Sequence, residues 1–438
     1  MHTSIQELLT FIRQSPSPFH AVHNMELELS AAGYERLYEE DAWHLNAGGK
    51  YIVSRNGSSL IAFTLPDVLS LHGERGFLIT ASHSDSPSFK IKEHPEIEAE
   101  KKYIKLNVEK YGGMLMAPWF DRPLSAAGRV LVKNGSRIET RLVNIDRDLL
   151  MIPSLAIHMD RSVNEGHKYN PQEELLPLFG GSDAGGKFGA LTAEAASVRE
   201  EDILGMDLFL YNRMDGTVWG ASEEFLSAPR LDDLECAFAS MKGLLKSENS
   251  RQIRVHCVFD NEEVGSLTRQ GASSTFLKDV LTRIFQSMGA GQEAYLRALA
   301  SSFMISADNA HGVHPNYPAK ADPVNRPSVN GGIVLKHSAN QKYTTDGVSA
   351  AVFRSICRRA GVPCQDFVNR SDIPGGSTLG NLSNAQAALR TVDIGLPQLA
   401  MHSSYETAGV RDVCDLIKTL EIFFSSDIRI EKDEIILK

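Results

Sequence analysis

The chain has 438 residues, 42% hydrophobic and 23% charged, with a formal net charge of −10; that length is more than one core usually serves, so two domains are expected. No apolar run approaches the roughly 18 residues of a membrane span, and no Lys/Arg run could track a phosphate backbone, so neither membrane nor nucleic acid is expected as a partner. The five cysteines (Cys236, Cys257, Cys357, Cys364, Cys414) are scattered and lack metal-type spacing, which suits a reducing cytoplasm.

The opening stretch MHTSIQELLTFIRQ reads as an amphipathic helix with a Ser4–Glu7 capping box, not as a signal peptide. Helices are predicted at 5–13 (Ile5, Leu8, Leu9, Ile12) and 19–32 (Val22, Met25, Leu29), the second closed by Gly33. Strands follow near 50–54, 59–64 and 77–81. From 91 to 228 the texture changes. Short strand-like pieces such as YIKLNVEKYGG and GRVLVKNG alternate with Gly- and Pro-containing turns, and the polar stretch RSVNEGHKYNPQEE reads as mobile. This is expected to be a mostly β module inserted into a discontinuous domain formed by 1–90 and 229–438. Past residue 230 the chain alternates: helix 231–246, strand 252–259, helix 274–288, strand 303–307, helix 347–360, strand 390–394, helix 409–424. That alternation predicts an α/β domain with a largely parallel sheet.

Candidate ligands recur where these strands end. His83 and Asp85 follow FLITA, Glu262 and Glu263 follow RVHCVF, Asp308 follows FMIS with His311 and His314 beyond, and His402 follows TVDIGLPQLAM. In open α/β sheets that edge is where ligands bind. Asp232 joins them at the start of helix 231–246, where the helix dipole favours negative charge. Singly, each has an ordinary reading: Asp232 as an N-cap, Asp308-Asn309 as a turn former, Glu262-Glu263 as a loop charge cluster. Those readings do not explain why they recur at one edge of one sheet.

Clustered carboxylates repel one another, and a divalent cation compensates them. Mixed His/Asp/Glu ligation suits zinc, with manganese or cobalt as alternatives. Five ligands over two ions imply a shared one, and a carboxylate bridges where an imidazole rarely does. Such a centre ionises a water and polarises a carbonyl. Adjacent glutamates then divide the labour, one ligating metal and its neighbour moving the proton.

The motifs HSDSP (83–87), APRLDDL (228–234), FDNEEVGS (259–266), SADNAHGVHPNYPAK (306–320) and PQLAMHS (397–403) resemble the aspartyl aminopeptidase family of dinuclear metallopeptidases. The likeness runs through SPSPFHAV, RNGSSLIAF, APWFDRPLSAAGRV and IPSLAIHMDR, in order along nearly the whole chain. The resemblance implies a three-layer α/β/α catalytic domain and a 91–228 dimerisation domain. It implies His83 and Asp308 on one metal, Glu263 and His402 on the other, and Asp232 bridging two divalent ions, most simply Zn2+, with Co2+ or Mn2+ as alternatives. Glu262 becomes the general base and acid, and Asp85 the carboxylate orienting the His83 imidazole. His158 is implied to reach the active site of a neighbouring subunit, and His311, Lys336 and Tyr343 to contact substrate.

The implied activity is removal of an N-terminal residue, Asp or Glu by preference, from peptides. The alternatives are an aminopeptidase of neutral preference, or an amidohydrolase of N-acylated amino acids on the same scaffold. A different class, a non-catalytic scaffold protein, is disfavoured because Glu262 and every implied ligand are present. Self-association into dimers and a tetrahedral dodecamer is implied as well. Two positions depart from the family pattern: Asp233 stands where Asn is usual, and the GGSTLG loop (375–380) continues into Asn381 and Leu382. Asp260 has no assigned role.

Overall fold

The computed structural model describes residues 2–68, 75–248, 251–376, 378–432 and 434–438. Its centre is a nine-stranded sheet in the order Glu35–Leu37, Lys50–Arg55, Ser59–Thr64, Ile253–Phe259, Phe77–His83, Phe303–Ala307, Arg390–Gly395, Ile333–Lys336, Cys364–Phe367. The strands Ile253–Phe259, Phe77–His83, Phe303–Ala307 and Arg390–Gly395 run parallel, with Phe259 opposite His83 and Ala307 opposite Ile394. Their C-terminal ends therefore form one edge. These strands are almost wholly buried because both faces are covered. Helices Leu231–Lys246, Gly347–Ala360 and Val410–Ser425 pack Phe238, Phe353 and Phe423 on one face. Phe276–Ser287 and Gln292–Ala300 bring Leu281, Phe285 and Tyr295 to the other. The result is a three-layer α/β/α body.

Strands between Ser88 and Asn212 build a separate six-stranded antiparallel sheet with its own core, including Phe89, Trp119, Val130 and Leu208. Helix Lys187–Ala196 inserts Phe188 into that core. A five-stranded sheet runs Thr217–Trp219, Phe225–Ala228, Glu406–Gly409, Pro397–Leu399, Ala310–His311. It gathers the segments just beyond the body's strand ends.

Several expectations need correction. The first helix begins at His2, so Ser4 lies inside it and Ser4–Glu7 is no N-terminal box. The stretch 161–174 carries a short helix, Pro171–Glu174, capped by the Asn170 side chain and tied back by His167 Nε2 to Glu174 Oε2 at 2.6 Å. Helix Gln292–Ala300 and the five-stranded sheet were not anticipated. Among the described residues no helix is long and apolar enough to cross a membrane.

Candidate metal centre

Each candidate ligand is delivered by the end of an element. His83 closes the strand Phe77–His83, and Asp308 follows Phe303–Ala307 directly. Asn261, left-handed at φ 63°, turns the chain after Phe259 so that Glu262 and Glu263 open a short 3-10 turn. Asp232 and Asp233 are joined by a cis peptide and are non-helical within Leu231–Lys246; no side chain caps that helix, so Asp232 faces the centre instead. His402 sits on a tight turn at φ 66°, between Pro397–Leu399 and Glu406–Gly409.

The Asp232 carboxylate stands between the two imidazoles. Its Oδ1 is 3.5 Å from His83 Nε2 and its Oδ2 is 3.5 Å from His402 Nε2, while Glu263 Oε1 lies 3.4 Å from His402 Nε2. Donor atoms of His83, Asp232, Asp233 and Asp308 lie within 4.8 Å of one another, as do those of Asp232, Glu263 and His402, and those of His83, Glu262 and Glu263. Asp232 Oδ1, Asp233 Oδ1 and Glu263 Oε1 are buried and make no hydrogen bond among the described residues. Orphaned buried carboxylate oxygens cost more than typical unpaired groups. Two cations on either side of Asp232 would satisfy them, so this donor set fits a dinuclear centre.

The electrostatics agree. Burial, with the nearby carboxylates of Asp308, Asp85 and Asp232, pushes Glu262 up to about 8. Glu263 is driven well above its usual range by burial and Asp232. Burial lowers His402, but Asp232 and Glu263 outweigh it and raise the imidazole to about 10. Apart from Asp232, where burial is outweighed by the two imidazoles that hold it low, acids and imidazoles drawn toward their protonated forms mark a site short of positive charge.

Both imidazoles are set for ligation. His83 Nδ1 lies 3.0 Å from the Asp85 carbonyl oxygen, and His402 Nδ1 lies 2.8 Å from the Gly113 carbonyl oxygen. A carbonyl only accepts, so each Nδ1 carries a proton and Nε2 is the nitrogen turned toward the centre, free to ligate once a cation displaces its proton. Asp85 therefore differs from expectation: its backbone carbonyl is the nearer acceptor for His83, its carboxylate Oδ1 standing 3.4 Å away. The carboxylate instead accepts from Glu262 N (3.1 Å), Glu263 N (3.2 Å) and Tyr111 OH (2.7 Å), and so holds the glutamate turn. Asp260 supports that turn by accepting from Asn261 N at 2.7 Å.

Some contributors were missed in the sequence. Buried Glu406 accepts from Asp232 N at 2.9 Å and from His402 N at 2.6 Å, tying the two ligand backbones together. Tyr111 and Gly113 come from the six-stranded sheet's side. The only signal for them was the YGG ending of a strand, and Glu406 gave none.

Beside the acids lies a cavity of about 180 Å³, lined opposite them by His311, Lys336, Tyr343, Phe367, Thr378 and Met401. Lys336 is 2% exposed; its Nζ is 3.4 Å from Asp308 Oδ1 and 5.5 Å from the Tyr343 ring centre. Of the GGSTLG loop, Gly376 and Thr378 line the cavity, whereas Ser377 lies outside the described residues. His314 stacks on Tyr317, away from the cavity. His158 is not brought to the site of its own chain: it is exposed, between exposed Ile157 and Met159.

Residues 11–424 match the family described as aminopeptidase I zinc metalloprotease (M18). A probable M18 family aminopeptidase 2 of Clostridium acetobutylicum is 49% identical over 426 residues, covering 96% of this chain and 98% of that one. Among solved structures, that of the Ape4 and Nbr1 complex superposes with a TM-score of 0.93 at 36% identity, over 97% of this chain and 86% of that one. The S. cerevisiae mApe1 dodecamer superposes at 0.84 with 30% identity, over 96% and 95%.

Proposed function

This chain belongs to the M18 family of zinc aminopeptidases, and from that premise we propose that it is a dinuclear enzyme removing N-terminal residues, preferentially Asp or Glu, from peptides. His83 and Asp308 would hold one ion, Glu263 and His402 the other, with Asp232 shared. Zinc is the family's metal, and Co2+ or Mn2+ are the alternatives. When bound, the ions polarise the scissile carbonyl and lower the pKa of the attacking water.

The protein's own groups do the rest. Glu262, lining the cavity beside the ligand cluster, takes the water's proton and returns it to the leaving amine nitrogen. The substrate's α-amino group is drawn to the carboxylate cluster, which enforces exopeptidase action. An acidic first side chain pairs with Lys336, with Tyr343 and His311 flanking it. His158 of a neighbouring copy stabilises the oxyanion. The 91–228 segment supplies the subunit contacts, in dimers and then a dodecamer like that of mApe1. The cytoplasm is the proposed location.

The observation that carries this reading is one carboxylate, Asp232, facing both imidazoles beside unpaired buried oxygens. The test is metal analysis with a panel of Asp-, Glu-, Leu- and N-acetyl-aminoacyl substrates, on wild type and Glu262→Gln. Wild type should carry two ions per chain and favour acidic substrates. Glu262→Gln should keep both ions and lose turnover on the order of 10²- to 10⁴-fold, the usual worth of a general base. Best turnover of Leu- or N-acetyl substrates would replace the specificity, and no turnover by metal-replete protein would remove the enzyme reading.

A further inference from the structure

The two halves of the centre are built differently. His83 and Asp308 stand at the ends of adjacent parallel strands of the nine-stranded sheet. Asp308 N donates to the Ile394 carbonyl at 3.1 Å and Ser84 N to that of Phe259 at 2.8 Å, so both positions are fixed by the body itself.

The His402 turn is fixed mainly from outside. Leu115 N donates to the His402 carbonyl at 2.9 Å, and His402 Nδ1 donates to that of Gly113 at 2.8 Å. Asn212 Nδ2 donates to the Ser404 carbonyl at 3.0 Å, Ser404 Oγ to that of Pro118 at 2.6 Å, and Tyr405 OH to that of Asp215 at 2.6 Å. All of these partners lie in the 91–228 segment. Glu263 meets that side too, since a Cβ at Gly112 would come within 3.1 Å of the Glu263 Cβ, although its amide is held from the body by Asp85 Oδ2 at 3.2 Å. From the body, the turn receives the Glu406 carboxylate at His402 N.

We propose that the Glu263/His402 subsite takes its geometry from the 91–228 segment and is the weaker, first-released cation site, with Ser404 and Tyr405 as positioning residues for His402. Among the described residues, no hydrogen bond ties that imidazole directly to the nine-stranded sheet. A shift of the segment moves the His402 turn relative to Glu263, whose amide stays with Asp85, while His83 and Asp308 stay on their strands. The inference rests on the dinuclear reading above.

The test uses the full chain as the double variant Ser404→Ala/Tyr405→Phe, which removes two side-chain donors across the seam and adds no atom that clashes. Wild type and variant are loaded with Zn2+, dialysed against graded chelator, and their ions per chain measured by mass spectrometry. One ion of the variant should leave at roughly tenfold lower chelator concentration than in wild type, the usual cost of losing an outer-sphere partner, while the other is unchanged. In a His402→Ala background, which already lacks the weaker site, the same double change should not alter retention of the remaining ion. Loss of both ions together, or wild-type retention of both, overturns the inference. A wild type holding fewer than two ions overturns the dinuclear reading first and this one with it. If the double variant does not fold, Tyr405→Phe alone carries the same comparison.

Discussion

Glu262 and Glu263 are neighbours in sequence on one short turn. Their amides both donate to the Asp85 carboxylate, so the turn is clamped, and both side chains offer a carboxylate oxygen near His83. The Glu263 side chain, 4% exposed, lies against His402 beside Asp232, and both glutamates line the cavity. Opposite them, burial lowers Lys336, but Asp308 outweighs it and keeps the ammonium charged. Under the proposed specificity, this buried cation would pair with an anionic first side chain. Lys336→Ala should therefore reduce kcat/KM for Asp- and Glu-substrates on the order of 10- to 100-fold, the worth of a charge-assisted pair, with little effect on Leu-substrates. Equal loss on both classes would remove Lys336 from specificity. At this scale the candidate ligands could be picked out in the sequence, since His83, Glu263, Asp308 and His402 follow predicted strands and Asp232 opens a helix. The atom used by Asp85 was not, because a two-residue spacing does not tell a carbonyl from a carboxylate.

Among elements, the decisive one is the strand Tyr103–Tyr111, which leaves the six-stranded sheet and ends against the metal centre. Gly112 has φ +78°, where a side chain is strained, and its Cα side faces Glu263. Gly112→Ala should push Glu263 aside and lower kcat by roughly 10- to 100-fold, as small misplacements of reacting groups do. Steady-state kinetics with a thermal melt checks this: unchanged kcat would show that Glu263 tolerates the shift. The long elements were readable because apolar residues recur at helical spacing, as in Val410–Ser425, or fill whole strands, as in Ile253–Phe259. Thr217–Trp219 and Pro397–Leu399 are too short to carry a period, and partners far away in sequence decide whether they pair at all.

For the whole molecule, the question is what completes the site. Leu155, Ile157 and Met159 are 63%, 45% and 76% exposed around His158, an unusual density of bare apolar groups for a free surface. If a second copy covers them and brings His158 to the oxyanion, His158→Ala should lower kcat on the order of 10²-fold with both ions retained. Wild type dissociated to monomers should lose activity to a similar extent; fully active monomers would remove His158 from catalysis.

The sequence by itself determined that the chain is α/β, that its candidate ligands fall at strand ends, and which residue types a cation would meet there. It did so because apolar strands and amphipathic helices are local patterns, and parallel strands put their ends on one edge. Only the tertiary structure decided which atoms face one another: that Asp232 stands between two imidazoles, that Glu406 ties their backbones, and that the Gly113 carbonyl sets the His402 tautomer from 289 positions away. Hydrogen bonds across such separations leave no local trace. They exist only once the sheets have packed.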